Sequence, residues 1–354
     1  MNKNTSQNHA APGKGMFRNR ERLLSALVTA IVLAVVITIP AVLDQPFYRN
    51  VISLIFLWGA MAGAWNILGG YAGKFSLGNA AFFGTGAYTS SILFAKLNIS
   101  PWLGMLVGMC LSMFLALVLG LITLRLKGKF FALCTIAFVA LMEIAAVHFR
   151  SLTSGAEGLL IPYKPGLSNM VFDNDLTWIY IFLGFLLFVY SLSRWLESSP
   201  LGYRWTALRE NEDAAEALGV NTLSAKLSSF TISAALTSIG GSLYAQYTMF
   251  IEPIYVFGQE LSIQFALYAI IGGMGSALGP IMGAALMTPL EIFLRSSFPD
   301  LASGASLAMY ALLLIVVVLF IPRGLVVEVG TFIRKMRDKP GSAKYVSGGE
   351  KADA

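Results

Sequence analysis

Residues 198–222, SSPLGYRWTALRENEDAAEALGVNT, are the main polar interruption of an otherwise apolar chain. They gather Arg204, Arg209, Glu210, Glu212, Asp213 and Glu216 into one connection, in a protein with 56% hydrophobic and only 12% charged residues. Apolar runs of roughly 20 residues lie on both sides, the length that crosses a bilayer core as a helix. The mean hydropathy of +0.70 agrees. The fold class is therefore an all-α, polytopic membrane protein, with the quoted stretch as its principal loop.

Helix breakers and polar islands divide the chain into about ten spans, near 23–43, 48–69, 75–96, 101–124, 130–149, 176–196, 223–249, 260–273, 277–298 and 304–321. The first follows a basic arm, 1–22, and is longer than the roughly 7–15 apolar residues of a cleaved signal, which predicts an uncleaved first helix. The span 260–273 is short enough to be re-entrant. With the arm placed in the cytoplasm, twenty of the 25 Lys and Arg fall in cytoplasmic segments, Lys74, Arg125, Arg204, Arg209 and Lys226 among them. Only Arg49, Lys96, Arg150, Lys164 and Arg295 stay outside. That bias puts both termini and the loop 198–222 in the cytoplasm. It also explains the net charge of +6 as topology rather than as a nucleic-acid surface. A membrane domain over 23–325, an extracytoplasmic loop over 150–176 rich in Gly, Pro and Asx turn signals, and a polar, mostly disordered cytoplasmic tail over 326–354 complete the plan.

Polar residues inside the spans are the candidate site. In FSLGNAAFFGTGAY, Ser76, Gly78, Asn79, Gly84 and Gly86 interrupt a supposed helix. Irregular backbone at membrane depth survives only when it is buried in protein or lines a water-filled path. The segment IGGMGSALGPIMGA, with Gly273, Gly275 and Gly279, has the same character. Small residues four apart, Gly69 and Gly73, Gly104 and Gly108, or Gly275, Gly279 and Gly283, would share one helix face and equally suit close helix packing. Glu143 is the one acid well inside a span; it faces the pathway or is satisfied by Asn66 or a neighbouring helix. Glu291 and Arg295, four apart, suit a local ion pair. His9 and His148 stand without other ligands, so no metal is expected, and Cys110 and Cys134 read as buried, inert thiols.

An energy source is missing. None of the Gly-Lys pairs at Gly13, Gly73 and Gly128 belongs to a phosphate-binding G-x-x-x-x-G-K-[ST], so the chain holds no ATP in that way. Several mid-membrane acids, the usual trace of ion coupling, are absent as well. The loop then matters. Read as one helix over 207–218, it puts Ala207, Leu208, Asn211, Ala214, Ala215 and Leu218 on one side and Arg209, Glu212, Asp213 and Glu216 on the other, with Gly219 as a left-handed C-terminal cap. Such a knob docks on a soluble partner or lies in the lipid interface. Its acidic face argues against anionic lipid.

Five blocks resemble the branched-chain amino acid permease family of ABC importers, the LivM/LivH type. They are GGYAGKFSLGNAAFFGTGAY at 69–88, RLKGKFFALCTIAF at 125–138, TSGAEGL at 153–159, ALRENEDAAEALGVNTLSAKLSSFTISAALTSIGGSLYA at 207–245, and IGGMGSALGPIMGA at 271–284. The chain departs from the family at Lys74, where Gln is common, and at ALTSIG over 235–240. The resemblance implies a non-catalytic permease subunit of the bacterial inner membrane. It implies no cofactor on this chain, ATP and Mg being used by two cytoplasmic ATPase subunits, with a second homologous permease and an extracytoplasmic solute-binding protein as further partners. Arg209, Glu210, Glu212, Ala215 and Gly219 would form the ATPase-coupling loop, and Asn66, Ser76, Gly78, Asn79, Gly84, Gly86, Glu143, Gly273, Gly275 and Gly279 the translocation pathway. The cargo would be a branched-chain or hydrophobic amino acid, with urea, an amide or another small solute as the alternative within the family. A self-sufficient ion-coupled secondary transporter is the alternative outside it. A membrane-embedded enzyme is disfavoured because no acid/base, nucleophile or metal constellation converges.

Overall fold

The structure is a computed structural model that describes residues 45–126 and 129–297, together with residues 38, 312, 315, 319, 324–326, 328 and 331 singly. The predicted spans 23–43 and 304–321, the arm 1–22 and the tail 326–354 lie outside these residues, apart from such single positions. The chain divides into two units, 1–49 and 50–354. Of the first, the described residues are Thr38 and the helical start at 45–49, where Arg49 N–H donates to Gln45 C=O at 3.3 Å. All that follows concerns the second.

The described α-helices of six residues or more are α1 (Pro46–Asn66), α2 (Asn79–Leu97), α3 (Pro101–Thr123), α4 (Lys129–His148), α5 (Asp175–Glu197), α6 (Pro200–Glu210), α7 (Glu212–Ala217), α8 (Thr222–Thr248), α9 (Gln259–Gly272) and α10 (Gly279–Ser297). Eight of the ten predicted spans thus have a helix within the described residues. The remaining two helices, α6 and α7, form the polar loop. Five segments are long and apolar enough to cross a membrane: Pro46–Tyr71, Pro101–Thr123, Lys129–His148, Asp175–Glu197 and Pro253–Gly272.

The two long helices missing from that set, α2 and α8, are the most interior. Their faces carry Gly, Ser and Thr because they pack on protein and not on lipid. Ser242 Oγ donates to Gly86 C=O at 2.9 Å, and a side chain at Gly241 would collide with the Phe83 backbone. Asn79 Nδ2 donates to Ser233 Oγ at 3.2 Å and to Thr237 Oγ1 at 3.1 Å. α3 closes the seam, with Gly104 against Ser90 and Gly108 against Gly86. Small residues thus bring three backbones together where lipid provides no hydrophobic drive for association. The opposite face of α3 exposes Leu103, Leu106, Leu111, Phe114, Leu121 and Ile122, the stripe a bilayer covers. Cys110 belongs to the exposed side of α3, which corrects the expectation of a buried thiol; Cys134 is half-buried.

Aromatic rings fill the centre. Trp58, Phe83, Tyr244 and Phe265, from α1, α2, α8 and α9, lie with centroids 5.5–6.1 Å apart in successive pairs. The loop 150–176 folds back on the bundle through a two-residue strand, β1 (Leu159–Leu160), antiparallel to β2 (Phe250–Ile251). Trp102 Nε1 donates to Leu167 C=O at 2.9 Å and Lys164 to Asn98 Oδ1 at 2.6 Å, so the loop is pinned to the corner between α2 and α3.

Two interruptions shape the interior. α1 ends in a π turn, Ile67–Tyr71, followed by non-helical chain to Gly78. α9, at 14 residues, spans only about 21 Å and is joined to α10 by the turn 273–278. The second falls where IGGMGSALGPIMGA predicted irregular backbone; the first meets the expectation only at Ser76 and Gly78, because Asn79, Gly84 and Gly86 lie in the regular helix α2.

Candidate functional site

The loop 198–222 differs from the predicted single helix: Asn211, with φ −160° and ψ 111°, splits it into α6 and α7. The cause is local. Asn211 Oδ1 accepts from Ala214 N–H at 3.0 Å, capping a new helix whose first turn holds Glu212 and Asp213. Acidic residues at that end suit the helix dipole, so a fresh start is favoured over continuation. α6 begins in the same way, with Ser199 Oγ accepting from Gly202 N–H and Pro200 in the first turn. α7 ends as predicted on Gly219, at φ +85°: Val220 N–H donates to Ala215 C=O at 3.0 Å and Gly219 N–H to Glu216 C=O at 2.9 Å.

Trp205 anchors the pair. Its ring is fully buried, and Nε1 donates to Ala225 C=O at 2.9 Å and to Ser228 Oγ at 3.1 Å at the base of α8. Leu208 and Ala215 are buried beside it. The split turns the predicted faces. Leu218, expected on the apolar side, is 86% exposed, and Tyr203 is 71% exposed. Glu212, expected on the solvent side, points inward.

Glu212 carries the main electrostatic feature. Its Oε2 lies 2.5 Å from Lys74 Nζ, and its Oε1 pairs with Lys226, whose side chain is only 7% exposed. Lys226 Nζ also donates to Leu124 C=O at 3.3 Å. Burial pushes the Glu212 carboxyl up, but the hydrogen bonds and charges of Lys226 and Lys74 outweigh it and hold the group below its ordinary value. Arg209 reaches the other way. Nη1 donates to Gly70 C=O at 3.1 Å, in the π turn, and Nη2 to Glu210 at 3.1 Å. A Cβ on Gly275 would sit 2.6 Å from Arg209 Nη1, and one on Gly73 would sit 2.7 Å from Arg209 Cγ. Both glycines have positive φ, +76° and +65°, so turn geometry and close approach each require the missing side chain.

Asn66 joins the two interruptions. It is 1% exposed; its Oδ1 accepts from Gly275 N–H at 3.0 Å and its Nδ2 donates to Ser276 C=O at 3.0 Å. The side-chain amide thus pairs with the turn 273–278 as a backbone unit would. Ser276 Oγ in turn accepts from Gly279 N–H at the start of α10.

The remaining predicted pathway residues lie in buried seams. Trp65 Nε1 donates to Ser76 C=O at 2.7 Å, Gly78 faces Thr135, Gly84 faces the Phe257 ring, and Gly86 faces Ser238. Gly273 has φ +122° and caps α9. The predicted helix face of Gly275, Gly279 and Gly283 is corrected: Gly275 is in the turn and only the other two are helical, Gly283 against Tyr268 C=O. Glu143 is not satisfied by Asn66. It makes no hydrogen bond or ion pair among the described residues and lines an open cavity of ≈ 520 Å³ on α4 with Ile144, Val147, His148 and Arg150. Glu291 accepts from Gln264 at 2.8 Å and Tyr268 at 2.9 Å; the Arg295 side chain lies outside the described residues. Among the described residues no group of His, Cys, Asp and Glu could hold a metal.

Sequence reasoning missed Lys226, Gly70 and Ser276. A signal existed for Lys226: a lone cation one turn into an apolar span requires a partner, and the only nearby acids are those of the loop.

Comparison with known proteins agrees with this architecture. The family model described as branched-chain amino acid transport system / permease component matches residues 47–322. The high-affinity branched-chain amino acid transport system permease protein LivM of Salmonella typhimurium is 28% identical over 284 residues, 73% of this chain and 65% of the relative. The probable LivM permease of Methanocaldococcus jannaschii is 22% identical over 282 residues, 75% of this chain and 81% of the relative. LivH of Escherichia coli is 26% identical over 202 residues, 52% of this chain and 60% of the relative. The match thus spans less than two thirds of the length of the enterobacterial LivM and LivH proteins. No solved structure matches.

Proposed function

The chain belongs to the family of permease components of branched-chain amino acid transport systems, and from that membership we propose that it is the membrane subunit of an ATP-driven ABC importer. It carries branched-chain or other hydrophobic amino acids inward across a bacterial inner membrane. Hydrolysis belongs to two cytoplasmic ATPase subunits. A second, homologous permease completes the pathway, as the similarity to both LivM and LivH suggests, and an extracytoplasmic binding protein delivers the solute.

The observation that carries this reading is the loop itself. α6 and α7 are rigidly seated by Trp205, yet they expose Tyr203, Leu218, Glu210 and Glu216 to the aqueous phase. Large apolar side chains rimmed by charge, outside the membrane, mark a protein-binding surface. Buried Ala215 holds the shape of that surface from beneath, and Gly219 turns the chain out of it.

On this reading the pathway runs through the polar seam of Asn66, Ser76, Gly78, Asn79, Gly84 and Gly86 and the turn with Gly273, Gly275 and Gly279, with Glu143 on the face turned to the second permease. An intramembrane carboxylate costs several kcal/mol against lipid, and a polar partner or water offsets that cost.

Docking is tested by co-purification. Leu218→Glu places charge on the exposed surface and touches none of the internal ties. The ATPase subunits are expected to co-purify with the wild-type chain and to be lost from the variant. Full retention would remove the docking assignment.

A further inference from the structure

The loop is gripped from inside the molecule as firmly as it is presented outside. Glu212 reaches two cations on two other segments: Lys74, in the chain that follows the π turn, and Lys226, at the base of α8. Arg209 reaches Gly70 C=O, in that π turn, and lies against Gly275 in the second break. Asn66 fastens the same two breaks to each other through Gly275 and Ser276. α8 meanwhile carries Ser233 and Thr237, which hold Asn79 at the start of α2.

We propose that Arg209 and Glu212 are positioning residues that pass a displacement of the loop to the two backbone breaks, rather than groups that bind the ATPase. The inference rests on the proposed function and concerns the step after docking. A carboxylate already committed to two ammonium groups has little capacity left for an outside partner, and charge-assisted hydrogen bonds of this kind are the strong ones. Arg209 likewise spends one arm of its fork on a main-chain carbonyl, which sets direction as well as attraction. The elements they pull on are suited to move: a π turn, a non-helical segment and a turn with two positive-φ glycines have less regular hydrogen bonding to break than a continuous helix. Movement of α6 drags Gly70. Movement of α7 drags Lys74 and the base of α8, and Asn66 keeps the two breaks in step.

A passive brace makes a different prediction. It would lower stability and yield together and leave the number of ATP molecules used per solute unchanged. The test therefore uses the full complex in proteoliposomes, with its ATPases and binding protein, leucine as the probe solute, and phosphate release measured alongside uptake. Glu212→Gln removes the charge that holds both lysines. Arg209→Lys keeps the charge and most of the bulk but loses the fork. Both variants are expected to retain the ATPase subunits and their hydrolysis, while leucine uptake falls about fivefold or more, the lower end of ordinary coupling energies. The ratio of phosphate released to leucine moved rises accordingly. An unchanged ratio in a wild-type-active system overturns the inference alone, as does loss of the ATPase from Arg209→Lys. A wild-type complex without ATP-dependent leucine uptake overturns the proposed function and the inference with it. If Glu212→Gln does not assemble, the ratio in Arg209→Lys decides.

Discussion

Three residues carry most of the argument. Asn66 pairs with a turn's N–H and C=O at once, so Asn66→Ala leaves a donor and an acceptor without partners in a largely buried place. The expected cost is at least about 2 kcal/mol, since each buried unsatisfied group costs about 1–3. Asn66→Asp keeps the acceptor for Gly275 but sets a second oxygen against Ser276 C=O in a buried place, so it should be at least as destabilising as Asn66→Ala in thermal denaturation in detergent at neutral pH. Gly219, at φ +85° with open space around it, fails on substitution only through backbone strain. Gly219→Ala is therefore expected to cost about 1–2 kcal/mol, and Gly219→Asn less, because Asn visits the left-handed region more readily. Glu212 gives a pH signature. Its folded-state pKa is lowered, so its ties stabilise the protein fully above the unfolded value, about 4.3, and are lost as pH falls through the lower folded value. The melting-temperature gap between wild type and Glu212→Gln should be constant from neutral pH down to that point and close below it. A gap that persists under acid would place the ties elsewhere.

At the scale of elements, hydropathy and packing say different things about α2 and α8. Both are long, neither is apolar enough to be picked out as a span by composition, and both are buried among other helices. In this structure their glycines and hydroxyls pack helix against helix, which closes the seam proposed as the pathway. Gly86→Ala, where a Cβ meets the Ser238 backbone, should destabilise by about 1–3 kcal/mol. Gly184→Ala on α5 has nothing within 4 Å and should be neutral or stabilising by up to about 1 kcal/mol through helix propensity. Equal effects at the two sites would refute this reading of the seam. The break between α6 and α7 shows what was hard to read from sequence. A wheel drawn over 207–218 assumes one continuous helix, and Asn211 followed by Glu212 and Asp213 is a helix-start signal in the middle of it. Once the helix restarts, Glu212 swings inward and Leu218 outward. Lys226 was obscured for a different reason: counted as a topological charge, it drew no question about its partner. By contrast the irregular segment at 273–278 was legible, because glycine clusters with polar neighbours have few other uses inside a membrane; the break at 67–78 was read too far along, since Gly84 and Gly86 serve close packing in a regular helix.

For the whole molecule, the charge asymmetry and the fold support each other. Lys74, Lys226 and Arg209 were assigned to one side by counting cations, and they meet in one cluster, where Leu124 C=O accepts from Lys226. On the opposite side by the same count, Lys164 meets Asn98 and Lys96 meets Ser151. Loops that sort in this way give the chain two separate polar surfaces, as the proposed function requires. The account's central claim is that this chain moves its solute only when ATP is hydrolysed by a separate subunit. The direct measurement is leucine uptake into proteoliposomes by the chain with its second permease and binding protein, with and without the ATPase subunits, under ATP or under a proton or sodium gradient. Concentrative uptake only with ATPase and ATP is the predicted result. Concentrative uptake driven by an ion gradient without the ATPase would contradict it.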